Sequence, residues 1–264
     1  MEDNCKNCGT LITGNFCSNC GQKKYKRIDK KYLIDELQYT VLHTNKGLLH
    51  TLKKLIKNPG KTAREFVDGN RVNHYKPILL VFLLSTISAF VMYKVIGMGE
   101  LMDRFYIESK TPFASQQKNL MTWMSNYIPF IMLLGIPFFA LITKIAFRKW
   151  GHNYYEHFVM NAFFLSLYTT FNIIIIYPIT YFLKNNALLF MILSNVLMHI
   201  GSIILLIWFF RGFYQEKDKT YTTLRALLSY GIFLVLYVGI SIIGVIIGII
   251  YLISTGADLQ QFAQ

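Results

Sequence analysis

Five long apolar runs dominate the chain after its first quarter, over residues 77–96, 129–147, 158–183, 187–210 and 226–253. Each reaches the roughly 17–25 residues that an α-helix needs to cross the hydrocarbon core of a bilayer. The stretch IIIIYPITYFL in the third run is as β-branched as a buried strand, yet the run continues past the length of any ordinary strand. In lipid a helix satisfies its own backbone and a lone strand does not. The pattern therefore predicts an all-α membrane protein with about five transmembrane helices over residues 77–264.

Residues 1–76 read differently. Ile34, Leu37, Val41, Leu48, Leu52 and Leu55 recur at near-helical spacing between Asp29 and Lys57, with a break near Asn45 and Gly47, and Lys46, Lys53, Lys54 and Lys57 decorate the rest. This predicts one or two basic amphipathic helices, lying in the head-group region or packed on the ends of the spans. Asn58-Pro59-Gly60 reads as a turn, Lys61 to Asp68 as a short helix, and Gly69-Asn70 as a second turn.

A hydrophobic content of 53% with 16% charged residues excludes an ordinary soluble domain. The first 76 residues hold no short apolar core followed by a small-residue cleavage site, so the amino terminus is expected in the cytosol. Of the 27 Lys and Arg, 22 fall on the side that holds the amino terminus, which predicts a multi-pass protein of the cytoplasmic membrane with an outside carboxy terminus. The net charge of +13 would suggest nucleic acid on a soluble protein. Here it is concentrated beside the membrane, and the cluster KKYKR at Lys23 to Arg27 is read as facing anionic lipid head groups rather than nucleic acid.

All four cysteines stand in two matching steps, CKNCG at Cys5 and Cys8 and CSNCG at Cys17 and Cys20. Two residues between cysteines let both sulfurs face one ion, and two such knuckles close a tetrahedron, the pattern of a structural Zn2+ ribbon over residues 1–22. Gly9 and Gly21 follow each step where a positive φ turns backbone amides toward the thiolates. Disulfides require an oxidising compartment that the topology does not supply. Cysteine ligands also suit an iron–sulfur centre. A closed four-cysteine site has no open coordination position and folds its segment instead of activating water.

CKNCG and FCSNCGQ, followed by KGLLHTLKKLIKNPGKTAREFVDGNR, HYKP and several spans, resemble a family of bacterial integral membrane proteins with an amino-terminal four-cysteine zinc ribbon. The resemblance is most specific over residues 5–80. It implies the architecture of ribbon, basic linker (23–76) and helix bundle, and brings no catalytic residue with it.

Inside the spans, His157, Asn161, Tyr168 and Asn172 fall on one helical stripe, and Asn195 and His199 form an i, i+4 pair. Polar groups at such depths face other helices, as packing contacts or as a polar path. Pro129, Pro137 and Pro178 predict kinks. Gly244 and Gly248, with Gly239 before them, suit close helix approach within the chain or between copies. Near the membrane plane Arg64, Arg71 and Lys76 are candidate lipid or phosphate contacts.

No metalloprotease, nucleophile-elbow or phosphate-loop motif occurs, and no predicted span carries an acidic residue. The preferred reading is a non-catalytic platform or sensor that recruits a cytosolic protein partner or responds to lipid. A small-molecule or lipid permease using the polar path is the alternative. An enzyme acting on lipid head groups through Arg64, Arg71 and His74 is weaker, since three basic residues lack an acid–base pair.

Overall fold

The computed structural model describes residues 4–5, 8–21, 47–70, 74–109 and 114–254. The basic cluster at 23–27, the predicted helical positions Ile34, Leu37 and Val41, and Arg71 lie outside the described residues. The chain divides into two units, Met1–Lys46 and Gly47–Gln264.

In the first unit an isolated antiparallel bridge pairs Asn4 with Leu11, and Cys5, Ile12 and Cys17 form a small buried cluster. Ile12 alone is too little apolar surface to hold such a segment folded, so the sulfurs are its natural centre.

The second unit is helical throughout its described residues, with α1 (Gly47–Lys57), α2 (Pro59–Val67), α3 (Pro77–Phe90), α4 (Met98–Ser109), α5 (Ala114–Ala146), α6 (Tyr154–Phe171), α7 (Ala187–Phe213) and α8 (Lys219–Ser254). Five of its helices are long and apolar enough to cross a membrane, over Pro77–Ile96, Tyr127–Ala146, Tyr154–Tyr181, Ala187–Phe213 and Lys219–Gly244. The chain is a multi-pass membrane protein of the all-α class.

Local chemistry fixes the helix starts. Pro59 and Pro77 occupy first-turn positions where a missing N–H leaves no bond unmade. Asn153 and Glu156 form a reciprocal capping box on α6: Asn153 Oδ1 accepts from the Glu156 amide at 3.0 Å, and Glu156 Oε2 accepts from the Asn153 amide at 2.6 Å. Asn186 caps α7 through the Leu189 amide, and Asp218 Oδ1 accepts from the amides of Thr220 and Tyr221 at the start of α8.

One of the predicted kinks takes a definite form. The third span passes from α6 through a π-helical segment, Asn172–Ile176, into Tyr177–Tyr181, so the irregularity sits just before Pro178. The proline ring clashes with the carbonyl four residues back and offers no N–H, and the wider π turn absorbs both effects. Pro129 and Pro137, by contrast, lie within the single continuous helix α5. The first span also ends in a π segment, Val91–Ile96, closed by Gly97 at φ +79°.

The third span is the centre of the bundle. It is 61% buried, against 11% for the last span. α6 packs on α3 and α5, while α2 lies across α7 and α6, and α8 leans on α7 and α5. Gly60 of α2 makes the α2–α7 crossing, since a Cβ there would fall inside the backbone of Phe209 and Phe213, and Gly212 meets it from the other side. Beside this crossing the Phe147 ring stacks on Phe210 at 4.5 Å and on Tyr214 at 5.1 Å, and Trp150 meets Tyr214 edge-on at 4.7 Å. Those rings anchor the main core.

α1 and α2 are tied to the bundle by polar joints as well. Thr51, fully buried, accepts from the Tyr75 amide at 2.8 Å, and Lys54 donates to Glu65 Oε2 at 2.9 Å. Along α8 Val235, Tyr237, Val238, Ile240, Ile243 and Ile247 are exposed, and nothing lies within 4 Å of where a Cβ would stand at Gly239 or Gly244.

Candidate metal centre and intramembrane cavity

The four cysteine sulfurs all lie within 4.8 Å of one another. The Cys5–Cys20 and Cys8–Cys17 sulfur pairs are each 3.5 Å apart. A tetrahedron with metal–sulfur bonds of 2.3 Å has edges of about 3.8 Å, so the donor set fits a four-coordinate ion. All four cysteines are free. Each knuckle closes in the same way: the Gly9 amide donates to the Cys5 carbonyl and the Gly21 amide to the Cys17 carbonyl, both at 2.9 Å, with φ of +76° and +73° at the two glycines. Cys5 and Cys17 are buried, whereas Cys8 and Cys20 are exposed. The Cys8 thiol is pulled down to about 6, first by the Thr10 hydroxyl and then by the Thr10 backbone, the direction that favours the ligating thiolate. These four residues can hold a metal ion.

Of the residues expected at the membrane plane, Arg64 lies in a dense polar layer. Arg64 donates to Asp68 at 2.7 Å and to Glu216 at 2.9 Å, and its guanidinium lies over the Phe213 ring at 5.4 Å. It joins α2 to the end of α7. Lys76 is exposed directly before α3. Glu65 sits between Lys54 and the buried ring of His74, whose Nε2 is 3.3 Å from the carboxylate. Lys54 holds the Glu65 carboxyl below its usual range, and burial lowers His74 despite that carboxylate.

The polar stripe of the third span divides. His157 and Asn161, both buried, converge on Thr143 of α5. Asn161 Nδ2 donates to Thr143 Oγ1 at 2.7 Å and to the His157 carbonyl at 2.8 Å. The one Thr143 proton goes to the carbonyls of Phe139 and Ala140, so its oxygen accepts from His157 Nδ1 at 3.2 Å. That assigns the proton to Nδ1 and leaves Nε2 as a bare acceptor, which has no partner in this structure. His152 Nδ1 and the Tyr214 hydroxyl are likewise buried without partners, and the His152 ring lies 6.5 Å from His157 and 5.3 Å from Tyr214.

The second part of the stripe opens on a cavity of ≈170 Å³ among α5, α6, α7 and α8. Asn161, Tyr168 and His199 line it, and His199 Nδ1 pairs with the Tyr230 hydroxyl at 2.8 Å across α7 and α8. Asn172 and Asn195 do not line it. Each donates to the carbonyl four residues back on its own helix, Tyr168 and Met191, and Asn195 is exposed. Thr143, Ser202, Ser229 and Tyr230 complete the polar lining. Sequence reading overlooked Thr143, Ser202 and Ser229 because a lone hydroxyl in an apolar run bonds back to its own helix and leaves no periodic mark, and Tyr230 because its partner His199 stands on another helix.

Over residues 45–89 the chain matches a family model described as protein of unknown function (DUF3667). No curated protein and no solved structure matches it. The matched stretch takes in α1, α2, the Gly60 crossing and nearly all of α3, so the likeness of this chain to that family lies in the layer that carries Arg64, Glu65 and His74.

Proposed function

We propose that the chain is a platform in the cytoplasmic membrane, with its amino terminus cytosolic and its carboxy terminus outside. Its four cysteines hold Zn2+, and the ribbon with the basic helices recruits a cytosolic protein partner at an anionic lipid surface. The observation that carries this reading is the closed sulfur cluster. Four cysteines fill the coordination shell, so the ion folds a recognition surface and offers no position to a reacting water.

Two further features support it. Among the described residues, no other group of three or more His, Cys, Asp or Glu is placed to hold a metal. Lys53, Lys57, Lys61 and Lys76 are exposed on or beside α1 and α2, where cations meet anionic head groups. Arg64, spent on Asp68 and Glu216, serves instead to hold α2 on the bundle.

Native mass spectrometry of the protein gently extracted from its own membrane tests the proposal. One zinc per chain with a recurring polypeptide is expected, and the double variant Cys8→Ser, Cys17→Ser should lose both while the bundle keeps its unfolding midpoint. Retention of the same partner by the metal-free variant, or turnover of a lipid head group by the purified wild type, would overturn it.

A further inference from the structure

We infer that the cavity among α5, α6, α7 and α8 is a binding site for an uncharged lipid bearing a hydroxyl group, taken up sideways from the bilayer. This goes beyond the platform reading, which uses the bundle only as an anchor.

The walls decide the body of the ligand. Phe139, Ile142, Phe164, Leu165, Leu206 and Phe233 supply most of the lining, and no lining residue is acidic or basic apart from His199. A carboxylate or ammonium brought here loses its hydration and meets no counter-charge. A neutral molecule is therefore selected.

The polar lining decides its functional group. Thr143 gives its proton to the carbonyls of Phe139 and Ala140, Ser202 to the His199 carbonyl at 2.8 Å, and Ser229 to the Ala226 carbonyl at 2.7 Å. Both donor bonds of the Asn161 amide are spent on Thr143 and His157. Asn161 is 2% exposed, and with its amide protons spent, what it keeps for the cavity is an acceptor, its carbonyl oxygen. Thr143 is saturated, since its oxygen also accepts from Asn161 and His157, and Ser202, Ser229 and Asn161 are left as acceptors whose own protons are committed elsewhere. A ligand that fits it brings a proton to donate, and an alcohol is the simplest neutral group that does so.

Size and mouth decide its origin. At ≈170 Å³ the space is close to an apolar cavity of about 150 Å³ that takes up benzene, so it admits a hydroxyl and the first few carbons, and any longer chain must trail outside. Among the lining residues His199 alone is exposed. It stands near the middle of the 27-residue α7, about 18 Å from the start of the helix, with Val196 and Ile200 exposed beside it. The mouth between α7 and α8 faces the hydrocarbon, and the His199–Tyr230 hydrogen bond spans it.

The test uses the full chain in lipid nanodiscs and a medium-chain alcohol carrying a diazirine near its hydroxyl end. Photolabelling is expected on the peptides around Asn161 to Tyr168 and Ser229 to Phe233. The unlabelled alcohol should compete, and the alkane and carboxylate of the same length should not. Ser202→Phe and, separately, Ser229→Leu fill the space from α7 and α8 without touching the Asn161–Thr143 bonds. Either variant that keeps the wild-type elution and ligand-free unfolding midpoint should lose at least about fivefold in labelling, equivalent to roughly 1 kcal/mol of binding. Equal competition by the alkane, preferential competition by the carboxylate, or undiminished labelling in a folded filled variant would each overturn the assignment.

Discussion

Gly60 shows how much one missing methyl group decides. The sequence around it, Asn58-Pro59-Gly60, reads as a turn, yet the glycine lies in the first turn of α2 because the backbone of α7 passes against it. Gly60→Ala drives a methyl into main-chain atoms that cannot rotate away, and the expected loss is about 3 kcal/mol or more. Gly201→Ala makes the contrast: its Cβ would meet Phe171 Cε1 at 2.7 Å, but a ring edge can shift, so the loss should be nearer 1 kcal/mol. Unfolding midpoints of the two variants in one detergent check the order. Tyr214 divides its contribution differently. Its hydroxyl is buried without a partner while its ring stacks on Phe147 and meets Trp150. Tyr214→Phe is therefore expected to stay within about 1 kcal/mol of wild type, and Tyr214→Ala to lose about 3–5 kcal/mol. A large loss in the Phe variant would show that the hydroxyl has a partner in the membrane. Single-residue readings of this kind were only half legible in the sequence. The knuckle glycines announce themselves by their place after Cys8 and Cys20, whereas the role of Gly60 depends on a helix some 150 residues away in the chain.

At the scale of elements, hydrophobic length predicts five spans, and the described residues hold five helices long and apolar enough to cross a membrane, because a bilayer imposes one thickness on all of them. The last of these helices begins at Lys219, ahead of the apolar run from 226, since Asp218 caps it well before that run begins. Pairing between helices was not legible, as every span offers the others a similar apolar surface. The same holds for the polar stripe. Spacing placed His157 to Asn172 on one face of α6, but Thr143 and Tyr230 on other helices decide that one part is a closed knot and another lines a cavity. The α1–α2 layer supports a pH prediction. His74, facing Glu65, Lys54 and His50, is lowered by burial, so the docked form binds a proton less readily than the undocked chain. Its contribution is complete above the ordinary histidine value of 6.5 and declines as pH falls below it. Glu65, held low by Lys54, keeps its contribution down to the ordinary carboxylate range and loses it as pH falls further. Both signs agree that acid loosens the layer. Amide exchange across Gly47 to Val67 should quicken between pH 7 and pH 5 relative to the α6 core after correction for intrinsic rates, and His74→Gln should flatten the upper part of that dependence.

At the scale of the whole molecule, the chain joins two units whose stability rests on different physics. The helix bundle is held by packing around α6 and by the aromatic cluster of Phe147, Phe210 and Tyr214, none of which involves a cysteine. Among its described residues the amino-terminal unit has a buried cluster of only Cys5, Ile12 and Cys17, and ion binding to such thiolate sites supplies on the order of 10–16 kcal/mol of folding free energy near neutral pH. Removing the metal is therefore expected to unfold one unit and spare the other. A strong chelator added to the purified protein should raise amide exchange over residues 8–21 to near the unstructured rate. Exchange in α6 and the fluorescence of Trp150, packed against Tyr214, should stay unchanged. Adding zinc back should restore protection in the first segment, and acid should release the metal as the thiolates are protonated. A chelator that also destabilised α6 would mean that the ion contributes to the bundle itself, and the four cysteines would then belong to its core and not to a separate recognition device.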